Sequence, residues 1–362
     1  MSSLGELQRW VERGDLTVTY IDAPPRSGSS ALFRALVEAT GLGAYEPFHH
    51  DVGGFEAGLS TLCELVGPQT KPVRIVVKEI ARYLSGRDWE DWMGLVDRCI
   101  FVVRDPLLQL SSLIKRSAND AHGGYGSDAL SDSAVWQRAD TIATTLACGG
   151  VIDGRAIPPN FARLSWRELK DHGASIERRV ATGNMRPSIV VETSMFRVRP
   201  HEQLSELLAL LGIQASDASL ARMVSRWSAT SRVSRADVAG DDAYRMRVNR
   251  ATGIEPPLEQ APSLAVFPRA LQDYLRSEAF PIYLWFVARA GLPSSFALQT
   301  LLQQSVDGVR LLDRNLTSVY AALSAMPPSR TRCAAGPILA ELRQRYDAEV
   351  FGLIDAIAAA GV

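Results

Sequence analysis

Three clusters in the sequence carry side chains suited to chemistry. The first is Pro25-Arg26-Ser27-Gly28-Ser29-Ser30. One guanidinium, three hydroxyls and a glycine within six positions can hold an anion. The glycine frees the backbone for a tight turn, and the N–H groups of a following helix point at one spot. The second cluster is Arg104-Asp105-Pro106 with Ser112 eight residues after the arginine. A guanidinium and a hydroxyl so spaced can share one phosphate through charge-assisted bonds. The third set is Glu46, the pair Lys78-Glu79, and the run His49-His50-Asp51. Carboxylates and imidazoles are the usual groups for moving a proton.

The elements around these residues explain how they could be positioned. Leu16, Val18 and Tyr20 alternate with Thr17 and Thr19, and Ile21 closes the run, which predicts a strand near 16–22. Pro24 and Pro25 stop it, Ser29 or Ser30 is expected to cap the next helix, and Leu32, Ala35, Leu36 and Ala39 line one face of that helix up to Gly41. The stretch 99–103, in a strand expected near 98–103, is continuously apolar, as in a parallel strand covered on both faces. Asp105 and Pro106 then suit the cap and first position of a helix. Strands are also expected near 73–78 and 188–192. The first ends in Lys78 and Glu79. The second leads to a helix that starts at Pro200, is lined by Leu204, Leu207, Leu208 and Leu211, and ends at Gly212. Gly53, Gly54 and Gly58 predict a flexible substrate loop after the His-His run, and the segment 117–133, rich in Gly, Ser and Asp, predicts a lid.

The turn at 25–30 has no Lys before its serines and no four-residue spacer, so it is not a nucleotide-binding loop of the G-x-x-x-x-G-K-[ST] type. It resembles instead the 5′-phosphosulfate loop of sulfotransferases that use 3′-phosphoadenosine 5′-phosphosulfate (PAPS). Arg104 and Ser112 are similar in placement and spacing to the family's 3′-phosphate pair. The two motifs occur in the family's order, 78 residues apart. Glu46-Pro47-Phe48 looks like a feature of a bacterial sulfotransferase-like group and, less closely, of carbohydrate sulfotransferases. Arg250 and Thr252-Gly253, with Arg245 and Arg247 before them, resemble the family's late nucleotide-covering loop, although the Arg-Lys-Gly form of that motif is absent.

The resemblance implies roles. Arg26 and the amides of Ser27, Gly28, Ser29 and Ser30 would hold the phosphosulfate. Arg104 and Ser112 would hold the 3′-phosphate, and Arg250, Thr252 and Gly253 would add a late contact. The histidine that many cytosolic members carry just after the strand found here at 73–78 is missing, so Glu79 or Glu46 is the expected base, with Lys78 beside them. His49 and His50 are expected near the acceptor. A solvated loop is the plain alternative for the two histidines, and a local ion pair for Lys78 and Glu79.

Composition narrows the partners. The chain has 362 residues, 46% of them hydrophobic, and a net charge of −1, so no broad basic field invites nucleic acid or an anionic membrane. Cys63, Cys99, Cys148 and Cys333 are scattered, which argues for reduced thiols, against a zinc site and for a cytoplasmic location. No metal site is expected, since nothing completes a ligand set around His49-His50-Asp51. Met1 to Gly14 lacks the apolar run of a signal peptide, and 280–287 is too short to span a bilayer.

The expected fold is α/β, a parallel sheet with helices on both faces, sulfotransferase-like and related to P-loop folds. A catalytic domain is expected over 1–262. A helical extension over 263–362 would cap it, with building the acceptor site or a homodimer contact as the other uses of those helices. The expected function is PAPS-dependent transfer of a sulfuryl group to a hydroxyl, or as second choice an amine, of a small-molecule acceptor, leaving adenosine 3′,5′-bisphosphate. A nucleotide-dependent kinase and a non-catalytic nucleotide-binding module on the same fold are the alternatives.

Overall fold

A computed structural model describes residues 2–49, 53–67, 71–113, 150–152, 155–157, 164–225, 232–235, 253–254, 275–279, 282–283 and 285–286. The chain forms two units. One comprises Met1–Arg104 with Ala162–Leu258, the other Asp105–Phe161 with Glu259–Val362.

The first unit is built on a parallel sheet. Its strands are β1 (Leu16–Ala23), β2 (Leu42–Tyr45), β3 (Val73–Ile80), β4 (Val96–Val103), β7 (Ile189–Glu192) and β8 (Arg232–Arg235), in the spatial order β7-β4-β1-β3-β2-β8. Every neighbouring pair runs parallel. This is the α/β sheet that the apolar runs predict. Nearly every residue of β1, and the second half of β4, is buried, so both faces of the central strands are covered. The chain leaves β1 toward β2 on one side of the sheet, and after β4 its next strand in the sheet is β7 on the other side. The carboxyl ends of β1 and β4 therefore flank a point where the strand order reverses. Open α/β sheets bind ligands in that crevice.

Helices follow from the same patterning. α1 (Ser3–Glu12) is capped by Ser2, whose Oγ accepts from the Gly5 N–H. α2 (Ser29–Thr40) buries Leu32, Phe33, Ala35, Leu36 and Val37 and ends at Gly41 in the left-handed region. Gly28, also left-handed, is its N-cap, so neither Ser29 nor Ser30 takes the capping position expected of them. The reason is local: the chain turns sharply at 26–28, and only the helix's own first residues remain for the serines. Gly53 to Gly58 are not a flexible loop either. They open α3 (Gly54–Val66), and a Cβ on Gly58 would stand 2.4 Å from Phe48 Cδ1 and 2.6 Å from the Pro47 carbonyl. That glycine serves close packing, not mobility.

α4 (Gly86–Met93) lays Trp89 and Trp92 against Tyr20 at ring separations of 6.0 and 5.7 Å. The long helix Trp166–Ala181 covers a stretch that carries no clear strand or helix signal near its start. The helix Pro200–Leu210 runs as its leucines predict, with Gly212 at φ +67 just beyond its end.

In the second unit, a helix over 106–113 starts as expected. Asp105 Oδ1 accepts from the Leu107 and Leu108 N–H groups at 2.8 and 3.2 Å, and Pro106 occupies the first position. A short antiparallel pair, β5 (Gly150–Ile152) and β6 (Arg155–Ile157), and the turn Leu275–Ala279 belong to the same unit. Among the described residues, no helix is long and apolar enough to cross a membrane.

Candidate functional site

The site begins with the turn that joins β1 to α2. Arg26 has φ +66 and Gly28 φ +86, so two of three successive residues adopt left-handed backbone. The Ser27 N–H donates to the Pro24 carbonyl at 3.4 Å and closes the turn. The first N–H groups of a helix have no acceptor within the helix. Here those of Ser29 and Ser30 head a twelve-residue helix at the carboxyl end of the central strand. Ser27 is wholly buried, and its Oγ has no protein partner. Ser30 Oγ bonds the Tyr45 hydroxyl at 2.7 Å, which ties the turn to the end of β2.

Two further contacts clamp this turn. Arg104, buried at the end of β4, donates from Nη1 to the Arg26 carbonyl at 3.1 Å. Thr193, directly after β7, sets its buried hydroxyl between the Ser27 carbonyl and the Val103 carbonyl, the latter at 3.1 Å. A Cβ on Gly28 would meet Thr193 Cγ2 at 2.5 Å. Glycine is thus required at 28 twice, by its φ and by this approach. Three strand ends converge on one turn. The sequence motif at 25–30 and Arg104 meet, and Thr193 joins them although nothing in its local sequence marks it.

Ser112 lies in the other unit, buried on the 106–113 helix. Gly253 packs on the end of the Asp217–Ser225 helix, where a Cβ would stand 2.6 Å from the Val224 carbonyl. The Ile254 N–H donates to that same carbonyl at 2.7 Å. His50, Arg250 and Thr252 lie outside the described residues, as do Arg245, Arg247 and the segment 117–133.

The acid–base residues gather one strand away. β1 and β3 pair with Ala23 opposite Ile80, so the turns that leave them start side by side. β2 pairs with β3 with Tyr45 opposite Lys78, which brings Glu46 to the same edge. Glu46 has φ +50, and its N–H donates to the Lys78 carbonyl at 2.7 Å. Its Oε1 pairs with Lys78 Nζ, both side chains being buried. Lys78 Nζ also stands 4.6 Å from the centre of the Tyr45 ring. Burial opposes the lysine charge, but the carboxylate of Glu46 and the neighbouring Tyr45 and Glu79 outweigh it and raise its pKa.

Glu79 is fully buried. Its Oε2 accepts from the Phe48 N–H at 2.8 Å and its Oε1 from the Ile80 N–H at 2.9 Å. Burial and the Glu46 carboxylate push its pKa up to about 8, against the lowering effect of the two backbone donors and Lys78. Both carboxylates also serve the structure of this edge. Glu79 has both oxygens committed to holding the 46–48 turn on β3, and Glu46 is neutralised by Lys78. These contacts fix the turn that carries His49.

His49 is the side chain that this turn delivers. Its Nε2 lies 2.6 Å from the hydroxyl of Tyr83, in the short 3-10 turn Ala81–Tyr83 directly after β3. The two rings are 4.2 Å apart at 52°. Arg82 Nη2 donates to the same hydroxyl at 2.6 Å. An imidazole thus reaches the region just after the third strand, but it arrives from the loop after the second.

Behind the site, Asp22 Oδ2 bonds His172 Nδ1 at 2.7 Å, and His172 Nε2 bonds the Leu84 carbonyl at 2.9 Å. Trp89 stacks flat on the imidazole, centroids 3.5 Å apart. Both members of the pair are buried. Among the described residues, no group of three or more His, Cys, Asp or Glu side chains is arranged to hold a metal.

Neither protein-family models nor curated proteins provide a match to this chain. Among solved structures it is similar to the crystal structure of mouse sulfotransferase SULT7A1 complexed with PAP, at 16% sequence identity and a TM-score of 0.35, over 61% of this chain and 67% of that one.

Proposed function

We propose that this protein is a PAPS-dependent sulfotransferase acting on a hydroxyl, or as second choice an amine, of a small molecule. The observation that carries the proposal is the 3.1 Å bond from Arg104 to the Arg26 carbonyl, which unites two motifs 78 residues apart at the reversal point of the sheet. The residues present suit a doubly anionic ligand. Arg26, the α2 N-terminus and the partnerless Ser27 Oγ suit a phosphosulfate. Arg104 supplies a guanidinium for a 3′-phosphate, with Ser112 as its partner by spacing. Arg250, Thr252 and Gly253 are proposed as the late contact. His49 and His50 are proposed at the acceptor.

The donor supplies the sulfuryl group, and this chain's residues supply position and charge. Such transfers depend mainly on alignment of the reacting atoms and on stabilising charge as it develops on the leaving phosphate. Arg26 and the amides of 27–30 take that second task. A cytoplasmic setting belongs to the same proposal.

Calorimetry tests the reading directly. Adenosine 3′,5′-bisphosphate should bind at least about tenfold more tightly than 5′-AMP, because hydrogen bonds to a charged group are worth roughly 1.5–3 kcal/mol. The difference should persist in EDTA, which separates this protein from a metal-dependent kinase, and Arg104→Ala should remove most of it. Equal affinities for the two ligands would sink the proposal. Tight binding with no consumption of PAPS would instead favour a non-catalytic nucleotide-binding module.

A further inference from the structure

We infer that Tyr83 is the group that takes the acceptor's proton, and that His49 acts through it as the final proton acceptor. This rests on the proposed sulfuryl transfer and names the proton path of that same site. The carboxylates at this edge are committed elsewhere, Glu79 to the Phe48 and Ile80 N–H groups and Glu46 to Lys78. What remains is the Arg82–Tyr83–His49 chain, with two contacts of 2.6 Å in series.

The direction of the chain follows from its ends. The Arg82 guanidinium only donates, so Tyr83 Oη accepts from it. With that lone pair engaged, the phenol's own proton is directed to Nε2 of a neutral His49. Tyr83 is half-buried, whereas His49 is buried, so the hydroxyl is the more accessible end. The charged groups acting on Tyr83 are Arg82, Glu46 and Glu79. Glu46 is paired with Lys78, and Arg82 is in direct contact with the phenol oxygen. Burial raises the Tyr83 pKa, and the Arg82 bond opposes that rise.

The step balances. The acceptor oxygen forms the new O–S bond while its proton passes to Tyr83 Oη. The proton already on Tyr83 passes to His49 Nε2. The bridging S–O bond of the donor breaks, and its electron pair leaves with adenosine 3′,5′-bisphosphate. His49 ends the turnover as an imidazolium and returns one proton to water.

Two measurements on the full chain test the relay, with adenosine 3′,5′-bisphosphate and PAPS as the probes. Nitrogen-15 NMR of the histidines, assigned with His49→Gln, should find Nε2 of His49 unprotonated at neutral pH and moved in resonance by Tyr83→Phe. A protonated Nε2 in the neutral ring overturns the relay. The second measurement follows PAPS consumption with water as the acceptor, over a range of pH. Tyr83→Phe and His49→Gln should each slow it by roughly 10²-fold or more. The double variant should be no slower than the slower single, because members of one relay act in series. His49→Gln should change the dependence of that rate on pH. Affinity for adenosine 3′,5′-bisphosphate should change less than about twofold in either variant, since neither residue is assigned to the phosphates. Unchanged turnover in Tyr83→Phe, or multiplied losses in the double variant, overturns the relay. A wild-type protein that binds adenosine 3′,5′-bisphosphate but consumes no PAPS also overturns it and leaves the cofactor site standing. Failure to bind adenosine 3′,5′-bisphosphate sinks the proposed function itself, while the NMR still decides the hydrogen bond.

Discussion

Arg26 and Glu46 hold backbone conformations that glycine adopts at lower cost, and both stand at the candidate site. Left-handed backbone costs an ordinary residue about 1–2 kcal/mol. Retaining a guanidinium and a carboxylate there suggests that the side chains serve function at the expense of stability. Arg26→Gly is therefore expected to leave stability unchanged or raise it by about 1 kcal/mol, while affinity for adenosine 3′,5′-bisphosphate falls about tenfold or more. Urea denaturation beside calorimetry checks both halves, and a clear loss of stability would contradict the argument. Glu79 offers a pH test with a definite sign. Its carboxyl lies at about 8 in the folded protein against an ordinary 4.5. Between those values the unfolded chain has released the proton and the folded chain keeps it. The folded state then binds more protons, so this group's contribution to stability is full below 4.5 and is lost as pH rises toward 8. Denaturation at pH 5 and pH 8 should find that loss in the wild type and a flatter dependence in Glu79→Gln, whose side chain does not titrate.

At the scale of elements, the candidate site depends on three strand ends meeting one turn. Thr193 closes that meeting, because its hydroxyl serves carbonyls of both the turn and β4. Thr193→Val keeps the shape and removes the donor. It should cost about 1–3 kcal/mol and weaken adenosine 3′,5′-bisphosphate binding, while Thr193→Ser should restore both. Wild-type affinity in Thr193→Val would mean that the Arg104 bond alone holds the turn. The strands that meet here were readable because long apolar runs end in charged or proline-rich turns, as at 16–24 and 98–106. The two motifs were readable because their residues are contiguous. The four-residue strands β2 and β8 were not, since Leu42–Tyr45 has too few positions to show a period and Arg232–Arg235 sets only Val233 and Ser234 between two arginines. The contacts of the two glutamates were not readable for a related reason. Spacing brings a carboxylate to a strand end but says nothing about the backbone N–H groups that occupy its oxygens.

For the first unit as a whole, the ties that matter span large sequence distances, and the buried pair of Asp22 and His172 joins side chains 150 residues apart. It fastens the end of β1, two residues before Pro24, to the helix Trp166–Ala181. A carbonyl only accepts, so His172 Nε2 carries a proton toward Leu84. The 2.7 Å contact between Nδ1 and Oδ2 then holds one further proton, whichever atom owns it. Removing one partner strands the other, and a stranded member of a buried ion pair costs about 3–5 kcal/mol. His172→Ala and Asp22→Ala should each lose stability of that order. Asp22→Asn should be much milder. Its amide can donate to Nδ1 of a neutral ring, and its carbonyl would replace the buried Oδ1, which has no partner now. His172→Phe keeps a ring for Trp89 to stack on but strands Asp22, so it separates the hydrogen bond from the stack. In a double-mutant cycle, Asp22→Ala with His172→Ala should lose less than the sum of the singles, by about 1–3 kcal/mol. Additive losses would mean that Trp89 and general packing, not the shared proton, join the late helix to the first strand.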